Sequence, residues 1–146
     1  MTITRKLSKD TRGVAALEFA IVSPVLANLL LAMFQFGIGM QQYMNVSNAA
    51  TQGALALALA RGGTTPYTTA TTAVKSAAPN LTAASITTTV TIGGSACTTD
   101  SACTTKLTSG ATASVTVSYP CSLSVMGVNY APSGCTLVGQ SAQMVQ

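Results

Sequence analysis

From Phe19 to Met40 no residue carries a charge, and most are Leu, Ala, Ile, Val, Phe or Met. A run of this length and composition is long enough to cross a bilayer as a helix of about twenty residues. Hydrocarbon offers no hydrogen bonds, so a lone apolar segment must satisfy its backbone internally as a helix. One carboxylate, Glu18, stands at the start of the run. A charge at the centre of a membrane helix costs roughly 2.5–3.5 kcal/mol on insertion scales, so such residues usually have a function and a partner. A cut between Gly13 and Val14 would create that partner. Val14 would gain a free ammonium, with Glu18 four residues along on the same helical face. Glu18 would also lie near the positive end of the helix dipole.

The leader and the body differ in charge. Arg5, Lys6, Lys9 and Arg12 against Asp10 make residues 1–13 basic, and the whole chain has a formal net charge of +4. A basic segment before an apolar span predicts a cytoplasmic N-terminus and an exported C-terminal part. Beyond the leader, Arg61, Lys75 and Lys106 nearly cancel Glu18 and Asp100. A near-neutral body has no electrostatic footprint for nucleic acid. Charged residues are only 7% of the chain, too few for an ordinary soluble surface.

Within the apolar run, Pro24 removes one backbone hydrogen bond and predicts a kink. Asn28 and Gln35 are separated by two helical turns and share a face. They read either as helix–helix contacts or as uncharged polar residues tolerated in a span. Gln41, Asn45, Asn48 and Gln52 then form a polar stripe, with Met44, Leu55, Leu59 and several alanines around it. Arg61 followed by Gly62-Gly63 is a helix stop. The expected helix covers 14–61, transmembrane over about 17–40, and is roughly 70 Å long at 1.5 Å per residue.

Residues 62–146 predict a small exported domain rich in threonine, which favours strands and turns. A short helix is expected over 67–78, ended by Pro79-Asn80. Alternating residues predict strands over 86–92, 113–119 (stopped by Pro120) and, more weakly, 135–144. The fold class is therefore α+β: a long N-terminal helix, then a short helix and a three-stranded antiparallel sheet. Loops are expected at 93–110 and 120–135. Cys97, Cys103, Cys121 and Cys135 all fall in this exported half, where an oxidising compartment permits disulfides. Four cysteines allow three pairings. The sequence-local one, Cys97–Cys103 with Cys121–Cys135, is preferred and would staple a domain with little core. Zinc is disfavoured because there is no C-x-x-C pair and no His. No metal, cofactor or small-molecule substrate is expected. Nor is an enzyme, since Asp100 is the one carboxylate of the exported part and no base accompanies any nucleophile.

The basic leader, Gly13, four apolar residues, Glu18, Phe19 and the apolar helix together resemble a type IV prepilin N-terminus. More narrowly, R-G-V-A-A-L-E-F-A-I-V-S-P-V-L is similar to the TadE-like family of minor pilins or pseudopilins of the tight-adherence (Flp) pilus system, over about 14–45. The resemblance implies cleavage between Gly13 and Val14 by a membrane aspartic prepilin peptidase. Glycine leaves the backbone open to close approach there. Phe19 takes a place often held by tyrosine. By the same resemblance Glu18 would attract the free N-terminus of an adjacent subunit as the helix moves from lipid into a filament core, with pairing to the N-terminus of its own chain as the alternative. The implied partners are other pilin subunits, the pilus assembly platform, the peptidase and membrane lipid. The implied location is the bacterial inner membrane, crossed once, with the C-terminal part periplasmic or extracellular.

Two plainer readings compete. A secretory signal peptide needs an A-x-A site just after a short apolar stretch, and the alanine-rich 54–60 lies too far along. A single-pass anchor carrying an exported binding module that never enters filaments explains the topology but leaves Gly13 and Glu18 without a role.

Overall fold

The computed structural model describes residues 11–121, 124–125, 128–129 and 131–146. The leader residues Arg5, Lys6, Lys9 and Asp10 lie outside them. The chain forms two compact units, Met1–Gly37 and Ile38–Gln146.

In the first unit the described chain is all helix, the opening part of α1 (Thr11–Leu59). Ala, Leu and Met, strong helix formers, dominate it. The helix is continuous through Pro24. Val14, Leu17, Phe19, Ile21, Val22 and Phe36 are among its many exposed apolar side chains.

The second unit holds the rest of α1, then α2 (Pro66–Ala77), a 3-10 turn (Ala83–Ser85), β1 (Thr87–Ile92), β2 (Ser95–Cys97), α3 (Asp100–Lys106) and β3 (Thr112–Pro120). Two short strands follow, β4 (Ser124–Val125) and β5 (Val128–Asn129), and then β6 (Thr136–Met144). After α1, Gly62 at φ +80° turns the chain back, a conformation glycine adopts without a Cβ penalty.

The main sheet has four antiparallel strands in the order β2-β1-β3-β6, and β4 pairs with β5 separately. This corrects the expected three-stranded sheet. The extra strand, β2, has three residues, too few to show alternation. Its turn, however, carried a signal. Gly93 and Gly94 both have positive φ, +57° and +80°, as a two-residue type I′ hairpin requires. The stretch expected as a 93–110 loop also contains α3. That helix starts at Thr99, whose hydroxyl accepts the Ala102 N–H at 3.3 Å. The 120–135 stretch contains β4 and β5.

One core joins helices to sheet. Val46, Ala49, Ala50, Ala54 and Leu57 of α1 are buried with Ala70 and Val74 of α2 and with Val90, Ile92, Val115 and Val117 of the strands. The buried face of α1 is mostly alanine because the sheet approaches it closely. A Cβ on Gly139 of β6 would stand 2.8 Å from the Ser47 Cα. A Cβ on Gly53 would stand 2.5 Å from Val74 Cγ2 and 3.2 Å from Val115 Cγ1. At the far end of α1, Arg61 Nη1 donates to the Gln146 carbonyl at 2.6 Å.

Candidate functional site

The site is built on the first turns of α1. The Gly13–Val14 bond lies within α1, whose described part starts at Thr11. Among the described residues, and apart from the neighbouring backbone of the helix itself, nothing lies within 4 Å of the place a Gly13 Cβ would occupy. The backbone there is open. Val14 is 55% exposed, Phe19 is 72% exposed, and Glu18 is exposed between them. Among the described residues no acidic residue precedes Glu18 in α1. A helix starting at Val14 would carry Glu18 in its second turn, within reach of the positive end.

The next polar positions behave differently from one another. Asn28 Nδ2 donates to the Pro24 carbonyl one turn back, at 3.0 Å. Part of the Asn28 amide is thus satisfied inside its own helix, which lowers the cost of placing it in hydrocarbon. Gln35 is half-buried and has a bonding partner. From Gly13 onward α1 is long and apolar enough to cross a membrane. It fits a single-pass anchor.

The family model of TadE-like proteins matches residues 13–55. Over this segment the chain is TadE-like. The match begins at Gly13, contains Glu18, Phe19, Pro24, Asn28 and Gln35, and ends within the helix that supports the head. A TadE-like segment associates the chain with the Tad pilus in general terms. No curated protein and no solved structure matches the chain.

The remaining predicted positions lie in the head, beyond the TadE-like segment. Cys97 pairs with Cys103 and Cys121 with Cys135, with Cα–Cα separations of 5.3 and 5.5 Å. The first pair ties β2 to α3 and is buried. The second closes the base of the segment holding β4 and β5, where Cys121 N–H also donates to the Cys135 carbonyl at 3.2 Å.

Three head contacts escaped sequence reasoning. Asp100 accepts the Thr68 N–H at 2.9 Å and the Thr68 hydroxyl at 2.7 Å. It therefore caps α2 from a different helix. These bonds, the hydroxyl first, hold its carboxyl below its ordinary value. Lys106 Nζ donates to the Ala96 carbonyl at 2.8 Å, fastening α3 to β2. Gly139, a glycine inside a strand pattern, did carry a signal, because such a residue often marks close backbone approach. The head also has an open cleft of about 410 Å³ between Asn48 and Gln52 of α1 and Ala73, Ser76 and Ala77 of α2. Among the described residues no charged group lines it.

Proposed function

We propose that this chain is a minor pilin or pseudopilin of a Tad-type pilus or secretion apparatus, with a structural and not a catalytic role. The observation that carries the proposal is a TadE-like segment that sets an open Gly13 and an exposed Glu18 at the head of an exposed apolar helix. Prepilin peptidase removes residues 1–13 and leaves Val14 with a free ammonium. Glu18, costly in lipid, pairs with such an ammonium on a neighbouring subunit as the helix leaves the bilayer. The apolar faces from Phe19 to Phe36 then pack against other pilin helices at the assembly platform. Before assembly the chain sits in the inner membrane with its N-terminus cytoplasmic and its head exported.

Intact mass of the membrane-extracted protein tests the processing step. Loss of residues 1–13 is expected, and a retained leader in assembled material overturns it. Replacing Glu18 with valine tests the assembly role. Glu18→Val should keep its membrane level and lose incorporation into filaments. Incorporation at the unmodified level would remove Glu18 from the mechanism and leave the head as a tethered binding module.

A further inference from the structure

The two edges of the main sheet are finished differently. Val145 N–H donates to the Ala111 carbonyl at 2.9 Å, and Cys121 N–H to the Cys135 carbonyl at 3.2 Å. These bonds bracket the β3–β6 ladder and keep its register. Opposed residues in an antiparallel pair alternate between bonded and non-bonded pairs. Leu137, Gly139, Ser141 and Gln143 therefore aim their backbone groups at β3. Thr136, Val138, Gln140, Ala142 and Met144 aim theirs away from the sheet. Among the described residues no strand lies on that side.

The β2 edge also has an outward-facing backbone position, but there it is capped. Gly93 N–H donates to the Thr112 carbonyl, so the residues of β1 that bond β3 include Thr91. Ala96, opposite Thr91, must then point its backbone outward. Its carbonyl is the one that Lys106 Nζ caps. The β2 edge is short, capped by a lysine and joined to a helix, all of which are devices that protect an edge. Among the described residues the β6 edge has none of them. It runs nine residues with no charge and no proline. Val138 and Met144, both on its outward-facing positions, are 47% and 68% exposed.

We propose that β6 is a docking edge for an extended segment of another polypeptide chain, which adds to the sheet as a further strand. Backbone is the partner that matches a row of alternating N–H and C=O groups. The segment is uncharged, because β6 offers nothing to offset a desolvated charge. It carries apolar side chains at alternate positions, because Val138 and Met144 flank it on one face with the period of a strand. The inference goes beyond the assembly role and does not rest on it. A subunit that stays in the membrane would present the same edge.

A photoreactive phenylalanine analogue placed at Gln140 of the full chain, in the cells that make it, tests the proposal, with Thr89 on the same sheet face as the control. Gln140 should give at least tenfold more crosslink than Thr89, and residue-level mass mapping should locate it in an uncharged, alternating segment of a different chain. In a second arm the analogue sits at Val138. There Gln140→Pro, which removes one outward N–H and no bond to β3, should cut the yield at least tenfold, while Gln140→Ala should not. If melting of the purified full chain shows that the proline variant is unfolded, Gln140→Lys replaces it and should also cut the yield. Equal yields from Gln140 and Thr89, mapping to a charged or helical segment, crosslinks confined to a second copy of this chain, or insensitivity to the proline and lysine variants would each overturn the proposal.

Discussion

Gly139 of β6 rests directly on the backbone of α1 at Ser47. A Cβ at position 139 would lie 2.8 Å from the Ser47 Cα and 2.8 Å from the Val46 carbonyl oxygen. Backbone cannot rotate out of the way as a side-chain tip can. Gly139→Ala must therefore push strand and helix apart and is expected to destabilise the head by about 1–3 kcal/mol, the usual cost of overpacking. Denaturant unfolding of the full chain in detergent checks this.

Gly53 gives an internal comparison. Its added methyl would meet the ends of the Val74 and Val115 side chains. Alanine also gains about 1 kcal/mol of helix propensity over glycine. Gly53→Ala is expected to cost less than Gly139→Ala in the same unfolding measurement. The reverse order would mean that β6 yields more easily than the α1–α2 contact.

The two disulfides should differ in worth through the loops they close. Their sequence separations are 6 and 14 residues. Loop entropy predicts about 2 kcal/mol for the shorter bridge and about 3 kcal/mol for the longer. Replacing both cysteines of each pair with serine, in separate proteins, should lower unfolding midpoints in that order. Peptide mapping without reductant should recover Cys97 with Cys103 and Cys121 with Cys135.

Asp100 sets an acid limit on the head. Its carboxyl is held below its ordinary value of 3.8 by the Thr68 hydroxyl and N–H, so the folded state binds the proton more weakly than the unfolded state. The stabilisation is therefore fully present above pH 3.8 and is lost as pH falls through the lower, folded value. Melting temperature should fall on acidification across that window. Asp100→Asn should melt lower at neutral pH and show a flatter acid slope.

Much of this architecture was legible in the chain because periodicity and punctuation are local. The apolar run from Phe19 to Met40 could only be a helix, and the alternation of Val90 with Ile92 and of Val115 with Val117 marked half-buried strands. Gly13 and Glu18 were readable as a pair for a similar reason, since their relation is a spacing along one helix. The elements missed were short. β2 and α3 have too few residues to establish a period, and they exist because Gly93-Gly94 folds the chain back and Thr99 starts a helix.

The sequence by itself determined the long apolar helix, the carboxylate at its head, the strand-forming character of the exported part and the positions of its cysteines, because each follows from neighbours along the chain. Only the tertiary structure decided that Asp100 caps a helix thirty-two residues away, that Gly139 meets Ser47, and that one edge strand of the sheet is capped by Lys106 while β6 forms the other edge among the described residues. Those relations depend on which strands become neighbours in space. Pairing and packing settle that through hydrogen-bond register and through the room left by missing side chains, and neither has a local imprint in the order of residues.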